Sequence, residues 1–242
     1  MRDTFGQQLY AQYKNRKLTT ETVERNDGFK EESDYASRYF TDYPKWNAKE
    51  KQAIKFAKGR TLDIGLGAGR HALYLQRKGF DVVGIDNSPL AIKVSKLRGV
   101  KNAKVLAIEK VDKLKGDSFD TILLMGNNFG LMGSFKKAKT ILKKLYKITT
   151  KKGQIVAECL DPYGTDNPIH LKYHSANRKR GRMSGQLRLR VNYKNTKGDW
   201  FDYLFVSVKE MKDILKGTGW KVNKVIGKEG GIYIAILGKG EK

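Results

Sequence analysis

Residues 60–89 read RTLDIGLGAGRHALYLQRKGFDVVGIDNSP, and the fold turns on this stretch. Thr61 to Ile64 is a short apolar run carrying one carboxylate, Asp63. Gly65, Gly67 and Gly69 follow at alternate positions, and Arg70 to Lys78 has the spacing of an amphipathic helix. After Gly79 a second apolar run, Asp81 to Ile85, stops at Asp86. The order is strand, glycine turn, helix, strand, acid. A crossover of this kind between parallel strands is right-handed almost without exception, and it opens a nucleotide-sized crevice at the carboxyl ends of the strands.

Several nucleotide ligands use such a crevice, and the residues choose between them. The dinucleotide fingerprint needs its third glycine three positions after the second, where close helix packing excludes side chains. Arg70 stands there, and the third glycine comes one residue early. Asp63 points the same way, because a carboxylate at the mouth repels a pyrophosphate and attracts an ammonium or sulfonium cation. S-adenosylmethionine carries both cations. Asp86, at the tip of the second strand, has the acceptor capacity for both hydroxyls of a ribose. No Gly-Lys-Ser/Thr follows the glycines, which excludes a Walker loop.

From Tyr35 to Cys159 the chain resembles the class I S-adenosylmethionine-dependent methyltransferases, in particular a small branch whose first motif runs Asp-x-Gly-x-Gly-x-Gly-Arg-His. Asp63 to His71 fits that motif, and Gly84-Ile85-Asp86-Asn87-Ser88 is similar to the second. The resemblance implies an α/β, Rossmann-like, doubly wound sheet of seven strands, mostly parallel with the last antiparallel, and helices on both faces. It implies S-adenosylmethionine as cofactor, with Asp63, Gly65, Gly67, Gly69, Asp86 and Asn87 binding it. The loop after the third strand carries an adenine-side acid in the family. Glu109-Lys110-Val111 does not match cleanly, and Glu109 or Asp112 could fill the role.

Further along, Phe119 to Met125 is a near-continuous apolar run of the kind expected for a doubly buried fourth strand. Gly126-Asn127-Asn128-Phe129-Gly130 follows it, the family's position nearest the methyl group. The Asn/Asp-Pro-Pro-Tyr/Phe motif of adenine and glutamine methylation is missing. Gly126 and Asn127 are assigned to the cofactor and Asn128 to a substrate, against a reading of the same residues as a turn in which Asn takes left-handed geometry. Ser134 to Lys147 is an amphipathic helix, and Gly153 to Glu158 a fifth strand.

Composition bounds the rest. A chain of 242 residues suits one sizeable α/β domain with appendages. No apolar stretch approaches a membrane span and the polar start lacks a signal peptide's apolar core, so a cytoplasmic protein without a membrane partner is expected. Cys159 is alone and reads as a small buried residue. The formal net charge is +24, and from Thr121 onward 25 Lys and Arg face 9 Asp and Glu. Such a field attracts polyanions.

Residues 1–47 read as an N-terminal arm, with Tyr35, Tyr39, Tyr43 and Trp46 as an aromatic lid by resemblance or as core packing. Residues 48–242 form the methyltransferase domain, with a substrate-side insertion at about 162–206. Within it, Gln186 to Lys194 and Trp200 to Val206 alternate as the strands of an inserted β-hairpin with one arginine-bearing face. Six bases without an acid run from Arg178 to Arg190, and Arg178, Arg180, Arg188 and Arg190 are the candidate substrate contacts. Tyr163, His170 and His174 are candidate bases should the acceptor need one. Two histidines four apart without a third strong ligand make no metal site, so no metal is assigned. Ser207 with Glu210 is a capping box that starts the last helix. The function implied is methyl transfer to a small-molecule acceptor. RNA or another polyanion is the competing acceptor, and a non-catalytic cofactor-binding protein the third reading. Oligomeric state is not encoded in any of these signals.

Overall fold

A computed structural model describes residues 2–16, 19–114, 116 and 118–240. Of the arm expected at 1–47, Met1, Lys17 and Leu18 lie outside the described residues. The chain runs through α1 (Thr4–Asn15), β1 (Glu21–Arg25), β2 (Lys30–Ser33) and α2 (Ala48–Ile54) into β3 (Thr61–Ile64), α3 (Arg70–Arg77), β4 (Val82–Asp86) and α4 (Pro89–Leu97). It continues through β5 (Ala103–Val105), β6 (Phe119–Leu124), α5 (Phe135–Lys147), β7 (Thr149–Leu160) and α6 (Pro168–Lys179). Then come β8 (Gln186–Tyr193), β9 (Thr196–Lys197), β10 (Phe201–Leu204), α7 (Val208–Leu215), β11 (Trp220–Ile226) and β12 (Ile232–Lys239).

Seven strands hydrogen-bond in the order β11-β12-β7-β6-β3-β4-β5. β4 runs parallel to β5 and β6 to β7, while β12 is antiparallel to both β7 and β11. This is the mixed Rossmann-like sheet expected, with the last strand reversed. β3 and β4 are buried at every position, which is why their sequences are apolar runs rather than alternations. Asn47, Ser88, Ser134 and Ser207 each cap a helix through the side chain, and Glu210 closes the capping box of α7.

A second sheet differs from the expected hairpin. Its order is β10-β8-β1-β2, with β9 also paired to β8. β8 does lie beside β10, but its other edge pairs antiparallel with β1, Thr22 opposite Asn192 and Val23 opposite Val191. The reason is physical: an isolated two-stranded ribbon is marginal in water, and the first strand of the chain supplies the third. The 1–47 segment thus contributes β1 and β2 to this sheet.

The chain divides into two compact units. One comprises residues 1–46, 62–108 and 188–201; the other comprises 47–61, 109–187 and 202–242. In the first, Leu9, Ala36, Ala68, Ala91 and Val94 form a buried cluster with Phe5, Tyr39 and Phe40 packed on it. In the second, Tyr233, Phe119, Phe129 and Met132 are fully buried. Buried Cys159, its thiol pushed up to about 12 by burial, is an inert core residue. Among the described residues no helix is long and apolar enough to cross a membrane.

Candidate functional site

The first unit holds the glycine turn. Gly65 and Leu66 donate their N–H groups to the Ile85 carbonyl at 2.9 and 3.0 Å, folding the turn over the end of β4. Gly67 and Gly69 have φ of +54° and +81°, in the left-handed region that side chains disfavour. A Cβ on Gly69 would lie 2.7 Å from Val100 Cγ2, and one on Gly67 would lie 3.1 Å from the Tyr39 ring. Gly69 therefore lets α3 start against α4 and its following turn. Gly67 lets the backbone run bare beneath an aromatic ring.

Two acids face this turn. Asp86 accepts the Gly67 N–H on Oδ2 and the Ser88 N–H on Oδ1, both at 2.9 Å. Burial raises its pKa above the ordinary carboxylate range, and those N–H groups oppose the rise. Acceptor capacity beyond these bonds remains on the carboxylate. Asp63 is buried more completely and lacks such support on one side: its Oδ2 has no hydrogen-bond partner. Burial pushes its pKa up to about 7, with Arg70 and the Ala72 N–H pulling the other way. A buried acceptor without a donor asks for a ligand that brings one, preferably a cation. Asn87, beside them, is exposed and turns its backbone N–H to Asp86.

The flanking aromatic segment packs on both the turn and α3. Tyr43 stacks on Tyr74 at 4.6 Å and Trp46 meets His71 edge-on at 4.8 Å. Arg98 donates to the carbonyls of Tyr39 and Ala68, clamping segment to turn. One contact had no signal in the sequence. Asp3 caps α1 at Gly6 and also accepts from Ser88 Oγ and the Leu90 N–H at the start of α4, so one carboxylate joins two helix starts. A carboxylate is favoured at each by the partial positive charge there.

In the second unit the turn after β6 is held differently. Gly126 donates to Glu158 Oε2 at 3.1 Å, and Asn127 takes φ of +62°, as the turn reading required. The Asn127 carbonyl accepts the Tyr203 hydroxyl at 2.6 Å, and its buried Oδ1 has no partner. The Tyr203 ring covers Gly130, where a Cβ would come within 2.2 Å of it. Asn128 is half-buried beside them. Sequence reasoning missed Tyr203 and Glu158. The one available signal for Glu158 was an acid inside the apolar run of β7. Glu109 is exposed, its carbonyl and the Asp112 carboxylate both taken by Lys144.

Of the remaining candidates, Tyr163 and Arg178 meet at Ser184. The Tyr163 hydroxyl donates to Glu210 Oε1 at 2.8 Å and lies 3.1 Å from Ser184 Oγ. Burial, with the Glu210 carboxylate adding, raises its pKa above the usual tyrosine range. His174 is buried and His170 half-buried, one turn apart on α6. Arg178 donates to Ser184 Oγ, while Arg180 is exposed; both belong to the second unit. Arg188 and Arg190 belong to the first. Arg190 grips Glu24 through two bonds of 2.8 and 2.9 Å and lies over the Trp200 ring at 4.5 Å, while Arg188 is exposed.

Known proteins are similar to this chain. A family model described as a methyltransferase domain matches residues 62–157. A crystal structure of an S-adenosylmethionine-dependent methyltransferase from Bacteroides fragilis, in complex with S-adenosyl-L-homocysteine, superposes with a TM-score of 0.82. It is 27% identical, with 99% of this chain and 96% of that one covered. A glycine/sarcosine N-methyltransferase of Halorhodospira halochloris is 29% identical over 122 residues, 48% of this chain and 44% of the relative. A tRNA (uracil(54)-C(5))-methyltransferase of Pyrococcus horikoshii is 33% identical over 78 residues, 30% of this chain and 18% of the relative. The chain spans less than half the length of these curated relatives. The matched segment starts at Leu62 and so contains the two acids and three glycines that suit an adenosyl group bearing two cations. On both grounds residues 62–157 form a methyltransferase domain of the class I, Rossmann-like, S-adenosylmethionine-dependent kind, and the cofactor is S-adenosylmethionine.

Proposed function

We propose that this chain transfers a methyl group from S-adenosylmethionine to a small-molecule acceptor. The observation that carries the reading is the pair of acids at the glycine turn. Asp63 has a buried oxygen waiting for a donor, and Asp86 is fixed by the turn's own N–H groups with acceptor capacity left over. Asp63 takes the ammonium end of the cofactor and Asp86 its ribose hydroxyls.

The cofactor, when bound, supplies a methyl carbon already activated by a positive sulfur. What remains for the chain is alignment of an acceptor and exclusion of water. A neutral amine needs no general base. Tyr163 is a poor one, because its shift is upward. A small acceptor is supported by the whole-length likeness to a structure of nearly this chain's size and by the relative named for N-methylation of glycine and sarcosine. Arg190 is engaged by Glu24, which weakens the case for an open arginine face addressed to RNA.

The test is transfer of labelled methyl from S-adenosylmethionine into cell extract by the full chain, with one sample treated with ribonuclease and one stripped of small molecules. Label confined to the small-molecule fraction is the expected result. Label in ribonuclease-sensitive material would replace the acceptor by RNA.

A further inference from the structure

Asp86 is not held by the glycine turn alone. Asp3, half-buried just ahead of α1 in the same unit, accepts the Ser88 hydroxyl at 2.9 Å and the Leu90 N–H at 3.0 Å, both on Oδ2. Its Oδ1 accepts the Gly6 N–H and so caps α1. Ser88 donates its own N–H to Asp86 Oδ1 and caps α4 at Ala91. Two carboxylates thus hold one serine, and Asp86 Oδ2 reaches on to Gly67. The fit is close: Gly6 has no room for a Cβ, because Ser88 Oγ and the Asp3 carboxylate occupy its place. Thr4, the first residue of α1, donates its hydroxyl to the Val191 carbonyl on β8 at 2.6 Å, which fixes this end of the helix from another side.

Charge alone does not explain the arrangement. Burial, and after it the nearby Asp3 charge, push the pKa of Asp86 upward, so electrostatically the two acids work against each other. Asp3 is half-buried, however, and solvent screens its charge. What it supplies is position. Without Asp3, the Ser88 hydroxyl has no acceptor, the Leu90 N–H is unpaired, and Ser88 keeps only its cap at Ala91 to fix it. Hydrogen bonds weaken steeply as they bend, so the orientation of Asp86 decides how well it accepts from two hydroxyls.

We propose that Asp3 is a positioning residue for the cofactor: acting through Ser88, it fixes the Asp86 carboxylate in the orientation that takes the ribose hydroxyls. The inference rests on the reading of Asp86 as the ribose acceptor given above. The start of α1 is thereby part of the machinery that binds cofactor, more than 80 positions away from Asp86 in the chain.

The experiment is calorimetric titration of S-adenosylhomocysteine into the full chain and its variants. Asp3→Asn keeps an oxygen to cap α1 at Gly6 but turns an amide donor toward the Leu90 N–H, and it should lower affinity roughly fivefold. Gly6→Ala leaves both charges in place and suits a helix, yet it pushes the start of α1 off Ser88. A similar loss is expected, and this variant stands in if Asp3→Asn does not fold. Added to Asp86→Ala, either change should lower affinity no further, because no carboxylate is left to position. A merely structural role would lower affinity by the same factor in both backgrounds, and that result overturns the proposal. Affinity unchanged in both single variants, or raised in Asp3→Asn by relief of charge, overturns it too. If Asp86→Ala binds as tightly as wild type, the ribose reading falls and the proposal with it.

Discussion

The glycine turn and the second sheet belong largely to one unit, yet they are specified in opposite ways. Every contact that shapes the turn lies within about forty residues: Gly67 with Asp86, Gly65 with Ile85, Gly69 with Val100. The second sheet joins Glu21–Arg25 to Gln186–Tyr193, with more than 160 positions between Glu24 and its partner Arg190. A local constellation can be read as a motif because its chemistry forces the residue types at fixed spacing. A long-range strand pair leaves only alternation, and alternation does not name its partner.

The sharpest break in that comparison is Gly69→Ala. It places a side chain at φ of +81° and a carbon 2.7 Å from Val100. Strain of about 1–3 kcal/mol should lower stability and cofactor affinity together, measured by thermal melting and calorimetry. A smaller effect is expected from pH. Asp63 has its pKa raised to about 7, so the folded state holds its proton more tightly than the unfolded chain does. Its contribution to folding is complete below the ordinary carboxylate range and is lost as pH rises through about 7. Binding of a cationic ligand runs the other way, because the ionised form is the attractive one. Cofactor affinity should rise roughly tenfold between pH 6 and 8 and become flat in Asp63→Asn. Asp3→Ala should cost about 1 kcal/mol of stability by uncapping the two helix starts it joins, and should free α1 to proteolysis first. The smallest effect belongs to the second sheet. Arg190→Leu should loosen β8 from β1 in hydrogen exchange while leaving cofactor affinity within about twofold.

Legibility in the sequence follows the same division. β3, α3 and β4 are found within a residue or so of where their pattern puts them, because buried strands are apolar runs. The capping box at Ser207 and Glu210 closes as written. α6 was unreadable: its buried residues Tyr173, His174 and Asn177 are polar-tipped and leave no clean apolar stripe. Asp3 and Tyr203 were invisible for a different reason. Their roles arise from what lies next to them in space, the Ser88 and Leu90 groups in one case and the Asn127 carbonyl in the other.

The central claim is that Asp86, held by the glycine turn, is the anchor for the adenosyl group. Calorimetric titration of S-adenosylhomocysteine into wild type and Asp86→Ala tests it most directly. The account predicts one site per chain in wild type and an affinity about a hundredfold lower in the variant, from the loss of two charge-assisted hydrogen bonds. Equal affinity in the two proteins, or no binding to wild type, would contradict it.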